Sequence, residues 1–284
     1  MCVARSLSEI ITATFNWLKQ EIKPFLRAFA VLALPVIVVF VLLLKDFLME
    51  YLYVADNMEL MDTQATMMML QRSMLTGLFG LLMGMWIQLF AVAYMRVYQE
   101  HYRAGIFEAV TVKEVFDVMR RKFWVFVGWS ILFGVIVAAG LMFCMLPGIW
   151  FGISLMFGGY YVMMRDMKIG DALSASWRLV KGAWWLSFGN VVVLSLITSV
   201  VSYVFGLPYL IVTMGSAIGG GEPNVYAAVF TLLISYLGQY LLANVMVVGI
   251  GMLFFSLIED KEHLSMLDRI EEMGGGATGN EGMA

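Results

Sequence analysis

The sequence predicts an all-α integral membrane protein with six transmembrane helices and further amphipathic helices at the membrane interface. Of its 284 residues, 61% are hydrophobic and only 14% are charged, whereas a typical soluble domain has about 25% charged residues. The mean hydropathy is +0.84. Six apolar stretches also reach the length of about 20 residues that a helix needs to cross the hydrocarbon layer. Together these observations exclude an ordinary soluble enzyme.

We place the six spans at residues 25–44, 74–97, 123–146, 148–164, 184–214 and 225–258. Pro35 and Pro208 lie inside spans and are expected to kink them. Pro147-Gly148 is a turn dipeptide between the third and fourth spans, so these two spans are predicted to form a tight helical hairpin. Residues 1–262 then form one membrane domain, and residues 263–284 form a short tail with a disordered, glycine-rich end.

The basic residues lie almost entirely in alternate connecting segments. The N-terminal segment, the second and fourth loops and the tail contain nearly all of them, whereas the other loops contain only Lys45 and Arg72. Lysine and arginine accumulate on the cytoplasmic side of membrane proteins. We therefore predict a multi-pass protein of a bacterial inner (plasma) membrane with both termini in the cytoplasm.

Three of the basic segments have the periodicity of amphipathic helices. Apolar residues recur on one helical face at Leu7, Ile11, Phe15, Leu18 and Ile22, at Val112, Val115, Phe116 and Met119, and at Ile169, Leu173, Trp177 and Val180. Such helices lie in the membrane interface with their apolar faces toward lipid. Asp171 is placed to act as the N-cap of the third helix.

The same three segments indicate an internal repeat. An aromatic residue precedes a basic residue by four positions in each, namely Phe15 and Lys19, Phe116 and Arg120, and Trp177 and Lys181. We interpret them as the starts of three parallel repeats, each an interfacial helix followed by a two-span hairpin, as transporters can contain. The alternative is that any cytoplasmic entry into a span is rich in basic and aromatic residues.

The cores of the spans lack the ionisable side chains that mark proton paths, metal centres and other functional sites in membranes. Both histidines, His101 and His263, fall in predicted cytoplasmic segments. We therefore expect no catalytic residues, no metal ligands and no cofactor. Thioethers do bind Cu(I), and several methionines cluster near the first outer loop, but methionine is also an adaptable apolar residue. The cluster comprises Met58, Met61, Met67, Met68, Met69 and Met74.

Two groups of residues are candidates for binding or transport. The first group is expected to contact anionic lipid headgroups and comprises Arg120, Arg121, Lys122, Arg178 and Lys181. The second group forms either interhelical hydrogen bonds or a polar path through the spans, and comprises Gln88, Asn190, Ser195, Gln239 and Asn244. Membrane lipids are the expected partners, a protein partner or a second copy of the chain stays open, and no nucleic acid is expected.

The run from Leu146 to Trp185 carries a family resemblance. It contains Leu146-Pro-Gly-Ile-Trp150, Tyr160-Tyr161, Arg165-Asp166 and Gly170-Asp-Ala-Leu-Ser-Ala-Ser-Trp177-Arg-Leu-Val-Lys-Gly-Ala-Trp184-Trp185. This run resembles the membrane domain associated with bacterial glycerophosphodiester phosphodiesterases and related polytopic membrane proteins. In that family a soluble barrel with His and carboxylate residues performs catalysis, and the sequence after Ile258 is too short for one. The resemblance implies a stand-alone membrane module without that activity.

These observations predict a non-enzymatic membrane module that scaffolds or regulates a membrane or lipid-related process. The alternative is a transporter or permease for an amphipathic or lipid-like solute, which the apparent repeats and the prolines within spans favour. A membrane enzyme would need His, Asp or Glu side chains converging at one depth, and the spans contain no such set.

Overall fold

The computed structural model describes residues 7–56, 63–106, 108–219 and 224–275, with side chains for all of these except 46–56, 63–65, 217, 219, 225 and 262–275. Within these ranges the chain is helical and contains no β-strand. The helices in chain order are α1 (Leu7–Leu32), α2 (Leu34–Asp56), α3 (Thr63–Ala104), α4 (Val112–Phe143), α5 (Met145–Leu155), α6 (Gly158–Met164), α7 (Ile169–Val180), α8 (Trp184–Gly219) and α9 (Val225–Gly275).

The predicted fold class is confirmed. Five segments are long and apolar enough to cross a membrane, and the pair α1 and α2 supplies a sixth that is bent by 47° at its break. The five segments are Thr66–Ala104, Val112–Phe143, Met145–Met164, Trp184–Ser216 and Tyr226–Lys261. Each of the six predicted spans falls on one of these elements.

The bend in the first span follows from Pro35, as predicted. Proline lacks an N–H group and cannot bond the carbonyl one turn earlier, and the helix breaks at Ala33, two residues before it. The indole Nε1 of Trp86 donates to the carbonyl oxygen of Leu32 at this break (2.8 Å). No helix begins at residue 25, because α1 starts at Leu7 and continues through Pro24. The predicted span 25–44 therefore consists of the end of α1 and the first part of α2.

The third and fourth spans form the predicted tight hairpin, but its turn is at Cys144 and not at Pro147-Gly148, which lies in the first turn of α5. Cys144 alone separates α4 from α5 and has extended backbone angles. A Cβ atom on Gly140 would lie 2.9 Å from the Cα atom of Gly148, so the two helices approach closely only because both residues are glycines. The fourth span is itself interrupted between α5 and α6, a break that the sequence did not predict.

The fifth and sixth spans, α8 and α9, are antiparallel and in contact along their length. The hydroxyl of Ser235 donates to the carbonyl oxygen of Phe205 (2.9 Å), and Gly249 packs directly against Leu194. Pro208 lies inside α8, which continues without interruption to Gly219. The kink predicted there therefore does not break the helix.

The basic segments meet at one end of the bundle, which we call the basic end. Arg96 of α3 and Lys122 of α4 both contact Asp166 in the α6–α7 connection. Lys261 of α9 contacts the last carbonyls of α7, and Tyr94 of α3 donates to Glu21 of α1. This arrangement agrees with the predicted topology, in which all these segments share one side of the membrane.

Two aromatic clusters support the basic end from within. In the first, Trp17 and Phe25 of α1 contact Tyr94 of α3, with ring centroids 5.9 and 5.0 Å apart. In the second, Tyr160 of α6 lies 5.5 Å from Phe254 of α9. Buried aromatic pairs of this kind contribute about 0.5–1.5 kcal/mol each beyond the area that they bury.

The three predicted amphipathic segments are helical, but only α7 is a separate helix. The first is the start of α1, and the second is the start of α4, where Thr111 and Glu114 form a capping box. Asp171 is not the N-cap of α7, because the helix begins one turn earlier, with Lys168 as its N-cap and Asp171 in its first turn.

The side chains that these segments bury against protein are mostly not those of the predicted apolar faces, of which only Val115, Met119 and Val180 are buried. The residue immediately before each junction aromatic is fully buried, and so is the residue two positions after it. These buried positions are Thr14 and Trp17, Val115 and Val118, and Ser176 and Leu179. The shared pattern favours the internal repeat, which stays a prediction.

Candidate functional site at the basic end of the bundle

An ion-pair network joins three elements at the basic end. The guanidinium of Arg96 binds both carboxylate oxygens of Asp166, with N···O distances of 2.8 and 3.1 Å. Arg96 also contacts Glu100 one turn along α3 (2.8 Å), and the ammonium of Lys122 contacts Asp166. Bidentate arginine–carboxylate pairs combine strong hydrogen bonds with a fixed geometry. The network therefore ties α3 and α4 to the α6–α7 connection.

The backbone of Asp166 is held in an unusual conformation by this network. The φ angle of Asp166 is 54°, which lies in the left-handed region. Among the described residues, no other non-glycine residue has a positive φ angle. Aspartate and asparagine tolerate that region better than most residues. The adjacent Arg96 guanidinium, assisted by the Lys122 ammonium, lowers the pKa of the Asp166 carboxyl to about 2. Asp166 is thus a permanent anion at neutral pH.

A second polar group links the end of α3 to the start of α4. The Nε2 atom of His101 lies 3.2 Å from a carboxylate oxygen of Glu114, and its Nδ1 atom lies 3.3 Å from the carbonyl oxygen of Glu108. A cavity of 370 Å³ beside it is lined by charges of both signs, including Glu100, Asp117 and Arg121. The three carboxylates of Glu100, Glu114 and Asp117 outnumber the guanidinium of Arg121, so the lining of this cavity disfavours an anion.

The structure divides the five predicted headgroup residues into two groups. Lys122 is engaged with Asp166, and Arg121 lines the cavity of mixed charge. The other three side chains, those of Arg120, Arg178 and Lys181, are exposed. Arg121 is exposed as well, but it lines a cavity with three carboxylates, so Arg120, Arg178 and Lys181 are the better candidates for contact with a headgroup.

Each of the three exposed bases has an exposed tryptophan close to it in sequence. Trp124 follows Arg120 by one helical turn, and Trp185 follows Lys181 across the α7–α8 junction, with 79% and 77% of their surfaces exposed. Trp177, directly before Arg178, is 41% exposed. Tryptophans with this exposure are typical of the membrane–water interface.

Lys261 closes the end of α7. Its ammonium donates to the carbonyl oxygens of Arg178 and Lys181, the second at 3.5 Å. A cation at these orphan carbonyls satisfies them and favours the negative end of the helix dipole. A small cavity lies beside this contact, lined by Arg165, Arg178, Lys261 and Tyr161.

The five predicted polar residues of the spans do not come together. Gln88 and Gln239 are exposed on α3 and α9. Ser195 donates to a carbonyl within α8, and the Asn244 amide nitrogen donates to Tyr240 within α9. Asn190 is fully buried, and neither polar atom of its amide has a hydrogen-bond partner among the described residues. No hydrogen bond in the described part joins any two of the five.

The interhelical hydrogen bonds that the structure does contain come from other side chains. Trp86 donates to α1, Ser235 to α8, and the Tyr160 hydroxyl to the Val247 carbonyl. The sequence did not predict these hydrogen bonds, nor the pairing of Arg96 with Asp166. A signal was available for the last pair, because both residues border predicted spans on the same side.

Metal binding finds no support from geometry. Among the described residues, no group of three or more His, Cys, Asp or Glu side chains could hold a metal ion. Of the methionine cluster, Met58 and Met61 lie outside the described residues. Met67, Met68 and Met74 are exposed on the first turns of α3, where exposed apolar side chains suit a helix entering lipid.

Comparison with known proteins places the chain in one family. Residues 104–257 match the model of a family described as a domain of unknown function, DUF7847. No curated protein and no solved structure matches the chain. The matched region begins at the end of α3 and runs to α9, so it includes Lys122, Asp166 and Arg178 of the basic end but not Arg96 or Lys261. Because the match covers more than half of the sequence, the chain belongs to the DUF7847 family.

Proposed function

We propose that this protein is a non-enzymatic membrane module of a bacterial inner membrane, which scaffolds or regulates a lipid-related process. In this proposal both termini are cytoplasmic, and the basic end lies in the cytoplasmic headgroup layer. One observation carries it: the exposed bases Arg120, Arg178 and Lys181 each accompany an exposed tryptophan where the chain enters a span.

The physical reason is that the two residue types favour the same layer. A lysine or arginine near an anionic leaflet contributes about 1 kcal/mol of attraction, and the indole ring of tryptophan prefers the headgroup region. Three such pairs hold the basic end at a fixed depth. The ion pairs of Arg96 and Lys122 with Asp166 keep the connecting segments in place, so the surface presented to lipid or to a partner is rigid.

The resemblance of residues 146–185 to membrane domains associated with glycerophosphodiester phosphodiesterases supports a connection to lipid metabolism. Those domains accompany enzymes that act on lipid-derived phosphodiesters. In this proposal the membrane module acts through a partner protein. Crosslinking in native membranes followed by purification in mild detergent tests this, and a reproducibly lone monomer would count against the proposal.

The lipid contact is tested by the doubly substituted variant Arg120→Gln/Lys181→Gln. The matched control is Lys19→Gln/Lys113→Gln, which removes two exposed bases of the basic segments that have no exposed tryptophan directly beside them. Native mass spectrometry of protein extracted from mixed anionic and zwitterionic bilayers measures the retained lipid. The test variant should lose anionic lipid, and the control should keep it. Equal retention by the two variants would refute the assignment.

A second candidate function, transport of an amphipathic solute, is favoured by Asn190. Its amide is fully buried in α8 without a hydrogen-bond partner among the described residues, and unpartnered polar groups in membrane helices often mark a functional path. Reconstituted protein that releases an enclosed amphipathic dye, and an Asn190→Leu variant that does not, would favour transport over scaffolding.

A further inference from the structure

A cavity of 190 Å³ opens at the basic end between α6, α7 and α9. Cationic side chains from three separate segments line it, namely Arg165 after α6, Arg178 in α7 and Lys261 in α9, together with Tyr161. We propose that this cavity binds a phosphate group of the phosphomonoester type, carried by a lipid headgroup or by a small soluble molecule. The lipid form rests on the proposed function, whereas the affinity of the cavity for phosphate does not.

The charge of the lining selects an anion. The side chains that line the cavity include three cations and no carboxylate. This differs from the neighbouring 370 Å³ cavity, where Glu100, Glu114 and Asp117 face Arg121. A phosphomonoester carries a charge of about −1.5 to −2 near neutral pH, so three converging cations suit it better than a singly charged phosphodiester.

The residue types fit phosphate in particular. The planar guanidinium of arginine matches the spacing of phosphate oxygens and binds them in pairs, while lysine contributes a point charge. Arg165 and Arg178 come from different elements, so they can approach one phosphate from two sides. The remaining lining residues, Ala175, Leu179 and Ile258, are apolar. Apolar lining residues lower the local dielectric constant and so strengthen the interaction of the cations with a bound anion.

Lys261 offsets the negative end of the α7 dipole, which would otherwise oppose the binding of an anion in this cavity. The cavity lies beside the C-terminal end of α7, where the helix dipole is negative and would repel phosphate. The Lys261 ammonium donates to the carbonyls of Arg178 and Lys181 at this end. Its positive charge therefore offsets the dipole and still contributes to the cavity lining.

One carboxylate limits the affinity. Glu259 lies next to Ile258 on α9 and shares the wall of an adjacent cavity of 150 Å³ with Arg165. A carboxylate near that guanidinium repels an incoming phosphate and competes for its N–H groups. Removing the Glu259 charge should therefore strengthen phosphate binding, an effect that a purely structural role of these arginines does not predict.

The volume restricts the ligand to a single headgroup. Sites for drug-sized molecules occupy about 300–1,000 Å³, and this cavity is smaller, at 190 Å³. A phosphate with a short substituent fits within this volume, whereas a nucleotide would extend beyond it. A lipid would insert its phosphate and leave its acyl chains in the bilayer.

The experiment uses the full-length chain in nanodiscs and has two arms. In the lipid arm, phosphatidylcholine nanodiscs contain small equal fractions of phosphatidic acid and phosphatidylglycerol, and native mass spectrometry counts the retained lipids. In the soluble arm, inorganic phosphate is titrated calorimetrically into protein in pure phosphatidylcholine nanodiscs. The variants are Arg178→Gln, Arg165→Gln and Glu259→Gln. Lys113→Gln is the control, because Lys113 is an exposed base of the same end that lines none of these cavities.

Preferential retention of phosphatidic acid, weakened about tenfold or more by Arg178→Gln and strengthened by Glu259→Gln, would support a lipid site. The same dependence in the soluble arm alone would support a site for a soluble phosphate. Equal effects of Arg178→Gln and Lys113→Gln in both arms would overturn the proposal. The proposed function is judged separately, since its test variant leaves Arg165, Arg178 and Lys261 intact.

Discussion

The Asp166 network provides the sharpest test of the basic end, through the substitution Asp166→Asn. Asparagine keeps the size of the side chain and tolerates the left-handed backbone at this position, where φ is 54°. The substitution therefore removes the charge and little else. Arg96 keeps its contact with Glu100, so no bare cation is left buried.

The expected loss of stability follows from the carboxyl pKa. Lowering the pKa from 3.8 to about 2 corresponds to roughly 2 kcal/mol of stability before any reduction for solvent screening. The Asp166 side chain is 52% exposed, so solvent screening reduces this figure, and we expect about 1 kcal/mol. That loss lowers the melting temperature by about 2–4 °C, measured by tryptophan fluorescence in mild detergent at pH 7.

The pH dependence has a fixed sign. The pKa of Asp166 is lower in the folded state, so its stabilisation is complete above the unfolded value of 3.8 and disappears as the pH falls through about 2. The difference between wild type and Asp166→Asn should therefore be smaller at pH 3 than at pH 7. Asp171→Asn is the control, since Asp171 is an exposed carboxylate in the first turn of α7 and should cost only a few tenths of a kcal/mol.

The backbone strain is separated from the charge by two more substitutions. Asp166→Ala removes the charge and also places alanine in the left-handed region, where its Cβ atom is unfavourable. We expect it to be about 1 kcal/mol less stable than Asp166→Asn. Asp166→Gly loses the charge but accepts that backbone. Asp166→Ala should thus be the least stable of the three variants. Wild-type stability of Asp166→Asn, or equal stability of all three, would refute the reasoning.

Three further substitutions test the packing of the spans, all by melting temperature in the same detergent. Gly140→Ala should cost about 1–3 kcal/mol, because its Cβ atom would meet the Gly148 backbone at 2.9 Å. Gly84→Ala is its control and should be neutral or stabilising, since no described atom lies within 4 Å of the added Cβ atom; equal losses would contradict the hairpin. Asn190→Leu should not destabilise, because it removes a buried amide that has no partner among the described residues. A loss above about 1 kcal/mol would instead show that this amide is bonded.

Hydropathy and charge alone predicted the number of spans, the α4–α5 hairpin and the bend at Pro35, since each depends on local sequence. The interruption between α5 and α6 was not predictable, because it lies inside a continuous apolar run. Asp171 was wrongly predicted as an N-cap because capping preferences do not fix where a helix begins to within a turn.

The candidate site was less predictable than the spans. Arg120, Arg121 and Lys122 are consecutive in sequence, yet of the two exposed arginines only Arg121 lines the 370 Å³ cavity, and Lys122 pairs with Asp166. Their different roles depend on which helix face meets α3 and the α6–α7 connection. The phosphate cavity joins residues from α6 to α9, and no local pattern brings Arg165 and Lys261 together.

Cysteine labelling tests the central claim that the basic end lies on the cytoplasmic side of a six-span protein. Cys144 is exposed at the α4–α5 turn, at the opposite end of the bundle, and serves as a native reporter once Cys2, the other cysteine of the sequence, is replaced by serine. In right-side-out membrane vesicles, a membrane-impermeant maleimide should label Cys144. With Cys144 also replaced by serine, Lys113→Cys and Lys168→Cys should become labelled only after the vesicles are opened. Labelling of Cys144 and of these two positions from the same side would contradict the topology and the proposals that depend on it.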